Sequence, residues 1–387
     1  MARKTVAAIL TEYRENSHAD VIVTKLLEGY RLYGEATEPR IEVVSIYLDL
    51  IPANDIGVAM AARHGVPIFG TIAEAIGVGK PGVNVDGVLL IGEHGAYGRN
   101  ELDQILYPRR RLFEAAISTM IAANTFVPIF NDKHLSWSHD DALWMYETAR
   151  RFNIPFVAGS TLPIAWRQPA LEYPLGAPGL QDALVVGYGP VEAYGYHALE
   201  GLQAMVERRA GGETGVRSLQ AIEGDEVWNA LRDGRISQDL LDAALATIEG
   251  ASGQGLPAKV PDPVAFLIEY NDGLQGAVVL LNGLIQTFAF AAHRAGEIDA
   301  CLLHLQDGKP YNHFTFLIRQ IESTIINGVS PTPLERTLLA GGLTDYAMRS
   351  RHQGHIRLET PDLAIAYTAP DVTPDTGLGH PLEWGSR

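Results

Sequence analysis

The sequence predicts an α/β protein: a Rossmann-like, doubly wound parallel sheet followed by an α+β domain with an open, mostly antiparallel sheet. Three observations carry this. In residues 1–167, short runs rich in Val, Ile and Phe alternate with helical patterns, and runs without polar alternation are how parallel strands buried on both faces read. In residues 168–387 the apolar runs are separated by Gly and Asp turns such as Asn271-Asp272-Gly273, the punctuation of antiparallel strands. The chain has 387 residues, 47% apolar and 20% charged, which suits two domains and excludes disorder for most of its length.

Taken in order, the first-domain strands are expected at 5–10, 42–48, 66–69, 87–91, 126–130 and 155–158. Helices at 19–30, 54–63, 71–76, 112–123 and 138–152 alternate with them, implying right-handed crossovers. A loop rich in Pro and Gly fills 168–181. The second domain then reads as strand 183–187, helix 193–208, and strands at 216–222, 263–270, 275–282, 286–292 and 301–305. A helical excursion at 225–250, two helices at 312–327 and 333–350, and a last strand at 363–367 complete it. The Pro- and Gly-rich tail from 370 is expected on the surface. The strand Gln275–Leu281 is apolar at successive positions, so both of its faces need cover, which suggests self-association.

The net charge of −16 argues against nucleic acid or an anionic membrane as a partner. Cys301 is the single cysteine, so no internal disulfide and no thiolate metal site can form. The apolar runs are strand-sized, too short for a transmembrane helix. Glu12 and Glu15 follow the short apolar start too closely for a signal peptide. A cytoplasmic protein is expected.

Open α/β sheets bind ligands at the carboxyl ends of their strands. After the first strand a dinucleotide site normally has Gly-x-Gly-x-x-Gly, which lets the pyrophosphate approach backbone. Here Thr11–Asp20 contains no glycine and three acids. Asp49 ends the second strand, where a ribose-binding acid would sit. The fourth strand ends in Gly92-Glu93-His94-Gly95 and the fifth in Asn131-Asp132-Lys133-His134. Alternation in an extended segment would point Asp132 and His134 the same way. Glu93, His94, Asp132 and His134 could then converge as ligands for Mn or Zn, whose chemistry suits imidazole and carboxylate, or they could form a plain polar network. On the helix near 193, His197 and Glu200 lie three apart and share a face, so the carboxylate could orient a histidine acting as general acid/base.

These residues resemble the glucose–fructose oxidoreductase/inositol dehydrogenase (Gfo/Idh/MocA) family. The stretch Asp49–Pro52 through Ala61–Phe69 is similar to that family's second strand, helix and third strand. Asn131-Asp132-Lys133-His134 occupies the place of its Glu-Lys-Pro motif. Ala193-Tyr194-Gly195-Tyr196-His197-Ala198-Leu199-Glu200 occupies the place of Asp-x-Gly-x-His-x-x-Asp. The resemblance implies that Lys133 holds a substrate hydroxyl and the cofactor, that His197 moves the hydroxyl proton, and that the chain forms a homodimer or homotetramer through its second sheet. Gly195, His197 and the acidic Glu200 match, while the glycine fingerprint is absent and Ala193 replaces the first motif acid. The chain is therefore expected to be an enzyme for a small carbohydrate- or polyol-like substrate, with His197, Lys133 and Glu200 catalytic. The expected chemistry is acid/base elimination or hydrolysis, helped by a divalent metal and without standard dinucleotide binding. An NAD(P)-dependent sugar or polyol oxidoreductase is the alternative, and a non-catalytic sugar-binding protein a second one.

Overall fold

The computed structural model describes residues 2–306 and 308–370. The tail beyond 370, expected on the surface, lies outside them. Strand β1 (Lys4–Leu10) leads through a loop and a π-helical turn, Asp20–Thr24, into α1 (Lys25–Glu28). A hairpin, β2 (Tyr30–Leu32) and β3 (Glu35–Thr37), precedes β4 (Ile41–Leu48). Then follow α2 (Gly57–His64), β5 (Ile68–Phe69), α3 (Ile72–Gly77), β6 (Gly87–Ile91), α4 (Arg109–Ala123), β7 (Ile129–Asp132), α5 (His139–Arg151) and β8 (Phe156–Gly159). Six of these strands form one parallel sheet in the order β5-β4-β1-β6-β7-β8. The strand order reverses between β1 and β6, and a crevice opens at such a switch point.

The β2–β3 hairpin was not expected. Its turn residues, Tyr33 and Gly34, both have positive φ (51° and 84°), the type I′ geometry of two-residue hairpins. A tyrosine at the first turn position hid the signal.

The second half contributes β9 (Trp166–Gln168), β10 (Leu180–Gly187), α6 (Val191–Val206), β11 (Val216–Glu223), α7 (Asp225–Arg232), α8 (Gln238–Ala246) and α9 (Leu256–Lys259). It continues with β12 (Val264–Tyr270), β13 (Gln275–Leu280), β14 (Phe288–Arg294), β15 (Glu297–His304), α10 (His313–Asn327), α11 (Leu334–His352) and β16 (Leu358–Glu359). The sheet order is β16-β11-β12-β13-β10-β14-β15-β9. Within it only the β10–β13 pair is parallel. The strand expected at 363–367 does not form: Pro361–Leu363 is a 3-10 turn, and Tyr367 makes an isolated bridge to Glu213. Pro361 fixes the backbone and removes a ladder donor.

The core accounts for the apolar character of β13. Val278 and Leu280 pack inward with Leu199, Leu202 and Leu339 of α6 and α11. Ala277 and Val279 pack outward with Val227, Leu241 and Leu256 of α7, α8 and α9. The patch that suggested self-association is covered by the chain's own helical excursion. Helix α10 returns to the first sheet, where Phe314, Leu317 and Ile321 join Val6, Ala8 and Leu10. Gly87 permits this approach, because a Cβ there would lie 2.2 Å from Ile325 Cδ1.

Candidate active site

A cavity of about 290 Å³ lies between the carboxyl ends of β1, β6 and β7 and the start of α6, with Leu305, Tyr311, His313 and Phe314 along its rim. Lys133, His197, Glu93, His94 and Asp132 line it, as do His18, Ser160 and Tyr194, which the sequence reading had not placed there.

Glu93 follows β6 and is nearly sealed from solvent. Its carboxylate accepts from Lys133 Nζ at 2.9 Å and from the Arg109 guanidinium. Burial alone would raise this carboxyl, but Lys133 and Arg109 together hold it well below the usual range. Arg109 lies flat against the strand end because residue 92 is glycine; a Cβ there would sit 2.7 Å from Arg109 Cγ. Lys133 sits just past β7 with φ of 62°, and His94 just past Glu93 with φ of 69°. Non-glycine residues pay about 1–3 kcal/mol for such backbone, and it concentrates at functional sites.

The left-handed Lys133 breaks the alternation expected across Asp132–His134. Asp132 faces the cavity, where its Oδ2 meets His18 Nδ1 at 2.7 Å. Its Oδ1, fully buried, has no hydrogen-bond partner among the described residues. His134 turns away beneath Arg109 and Tyr196. Its Nδ1–H donates to the Ser136 carbonyl at 2.7 Å, and its Nε2 faces Arg109 Nη1 at 3.4 Å. Burial, reinforced by Arg109, pushes the His134 imidazole down to about 3, and burial followed by His18 does the same to His94.

These contacts correct the expected Mn or Zn site at Glu93, His94, Asp132 and His134. Among the described residues no group of three or more His, Cys, Asp or Glu side chains is arranged to hold a metal. Two cations already occupy Glu93, and His134 points elsewhere.

His197 projects from α6 into the cavity. Its Nδ1 is 3.0 Å from Ser160 Oγ, and the Ser160 hydroxyl donates to Glu200 Oε2. Glu200 also accepts from the Ser160 backbone N–H at 3.1 Å. The direct His197–Glu200 separation is 3.9 Å, so Glu200 reaches the imidazole through Ser160. With Ser160 donating to Glu200, its oxygen accepts from His197 Nδ1–H, which leaves Nε2 as the free base. Burial, then Lys133, pushes the His197 pKa well down, whereas burial raises that of Glu200. Gly159, with φ of 121°, makes room for this relay; a Cβ there would lie 2.6 Å from Glu200 Oε1. Gly195 lets α6 press on the second sheet, where a Cβ would approach Phe266 to 2.8 Å.

For a dinucleotide, the two ends of the mouth differ. Over β6 and β7 the residues fit: an open cavity, the Lys133 cation, and the unmatched Asp132 Oδ1 suit a polar ring beside a hydroxylated substrate. Over β1 and β4 the construction is different. Tyr13 is buried against Gly57, where an added Cβ would meet it at 2.7 Å. Ser17 Oγ lies 3.2 Å from the Asp20 backbone nitrogen at the helix start. Asp49 accepts from Tyr47, Tyr97 and Arg111 at 2.8, 2.6 and 2.6 Å. A pyrophosphate here would lie against side chains of the 11–17 loop, without a glycine cradle.

No family model and no curated protein matches the chain. Solved structures do. GenD2 from gentamicin A biosynthesis, in complex with NAD, is similar over 93% of this chain and 97% of its own, at 14% identity and TM-score 0.56. The myo-inositol 2-dehydrogenase of Lactobacillus plantarum is similar over 92% and 99%, at 9% identity and TM-score 0.57. The scyllo-inositol dehydrogenase of Lactobacillus casei, with bound NAD(H) and scyllo-inositol, covers 92% and 99% at 9% identity and TM-score 0.55. The chain has the Gfo/Idh/MocA-type fold, as the motif resemblance implied. Two of these neighbours are inositol dehydrogenases, and two of the three were solved with NAD or NAD(H). They overturn the expectation of metal-assisted elimination or hydrolysis in a scaffold that had left dinucleotide chemistry, and with it the ranking of a metal above NAD(P). Among the described residues no helix is long and apolar enough to cross a membrane.

Proposed function

We propose that the protein is an NAD(P)-dependent oxidoreductase acting on a hydroxyl of a sugar or polyol. The observation that supports it best is the meeting of Lys133 and His197 on one cavity at the mouth of a sheet whose fold neighbours bind NAD and inositols.

His197 Nε2 takes the hydroxyl proton. The imidazole rests neutral because burial and Lys133 disfavour its charged form, and the relay through Ser160 to Glu200 keeps Nδ1 protonated and Nε2 open. Lys133 Nζ steadies the negative charge that grows on the substrate oxygen. Glu93 and Arg109 hold the lysine in place, and the net positive charge of the Lys133–Glu93–Arg109 cluster favours an alkoxide. Bound NAD(P) supplies the hydride acceptor, and Lys133 would hold its nicotinamide end.

The test is reduction of NAD⁺ and NADP⁺, followed by absorbance, with a panel of inositols and aldoses. The proposal expects turnover with at least one pair, lowered by roughly 10²–10⁴-fold in His197→Ala and in Lys133→Ala. Undiminished turnover in His197→Ala would remove its assigned role. Failure of every pair would reject the reading.

A further inference from the structure

The cavity contains a second imidazole–carboxylate pair that the reading above does not use. His18 opens the helix that follows β1, at the first turn of helical residues 18–28. Its place is set locally: Ser17 Oγ lies 3.2 Å from the Asp20 backbone nitrogen and Asp20 Oδ2 accepts from the Asn16 N–H at 2.9 Å. A π-helical turn follows immediately, a feature frequent at functional sites. The ring reaches across the end of β6 to Asp132 at the end of β7, Nδ1 to Oδ2 at 2.7 Å, and stacks edge-on against Phe314. Asp132 is fully buried and its second oxygen has no hydrogen-bond partner among the described residues.

We propose that His18, oriented by Asp132, is a second acid/base residue of this cavity, and that it handles a substrate proton from the first sheet's side while His197 works from α6. Asp132 is the positioning residue. Its ionised carboxylate can only accept, so His18 Nδ1–H donates to it and Nε2 is the nitrogen left to exchange a proton with substrate. This is the pair that His197 lacks: His197 meets its carboxylate at second hand, whereas His18 meets Asp132 directly. Ala193 stands where the family motif has an acid, so α6 offers no carboxylate at that position, and Asp132 is the unmatched carboxylate oxygen on the opposite wall. The other carboxylate, ammonium and imidazole groups lining the cavity are Glu93, Lys133, His94, His197 and His313.

The inference rests on the oxidoreductase reading for its substrate but has a test of its own. Nitrogen-15 spectra of the full-length protein should show His18 as the Nδ1–H tautomer, and Asp132→Asn, whose amide can donate, should shift it toward Nε2–H. In turnover, His18→Gln should lower kcat by about 10²-fold while KM for the nicotinamide cofactor and the thermal midpoint stay near wild type. Asp132→Asn should lower kcat in the same direction. A wild-type Nε2–H tautomer, or His18→Gln turnover within about 3-fold of wild type, overturns the assignment. A wild type without nicotinamide-linked turnover counts against the oxidoreductase reading, and His18 is then judged on the tautomer alone.

Discussion

Glu93 shows how one residue organises the site. It is buried between Lys133 and Arg109, and both cations depend on it. Removing one partner of a buried ion pair typically costs about 3–5 kcal/mol, because a charge is left without compensation. Glu93→Gln keeps the shape and leaves two buried cations facing a neutral amide. It should lower unfolding stability by about 3–5 kcal/mol in urea titration, and a loss below about 1 kcal/mol would show that the cluster is not held this way. Glu93, Lys133 and His197 were legible in the sequence as ionisable groups at strand ends and a helix start. Their partners were not, since Arg109 and Ser160 come from segments 16 and 37 residues away. Ser160 stands in the sequence as one residue of Gly159-Ser160-Thr161, just past a strand, and His18 as one polar residue of the acid-rich stretch Thr11–Asp20.

At the scale of elements, the strands and helices were readable wherever burial is one- or two-faced over several residues. β6, buried throughout, and α6, buried along most of its length, both announce themselves by pattern. The end of β7 was misread because alternation was carried one residue too far. Lys133 leaves the extended region, so Asp132 and His134 diverge and the metal site expected there has no geometry to stand on. The helical excursion at 225–250 was legible as helix. Its destination was not, because only tertiary packing shows that Val227 and Leu241 cover the outer face of β13. The helix α10 was legible too, but the same limit hid its destination, the first sheet on which it packs.

For the whole molecule, the buried imidazoles set the response to acid. Burial holds His94, His134 and His313 at about 3, against 6.5 in an unfolded chain. Between pH 6.5 and 3 the unfolded chain takes up protons that the folded one refuses, so this contribution is complete above 6.5 and is lost as pH falls. Glu192 works in the opposite sense: burial raises it to about 7 from 4.5, so its contribution declines as pH rises through that window. Burial also lowers His139, His197 and His304 and also raises Glu200 and Glu322, so six histidines stand against three carboxyls and set the direction. The urea midpoint should be lower at pH 5 than at pH 7.5, with a smaller gap in His134→Gln; equal midpoints would contradict this. A fold without a glycine cradle is proposed to serve nicotinamide chemistry all the same, and calorimetric titration of the purified protein with NAD⁺ and NADP⁺ is the deciding measurement. Saturable heat with micromolar affinity for one of them is the predicted result, and no heat from either at millimolar concentration would contradict it.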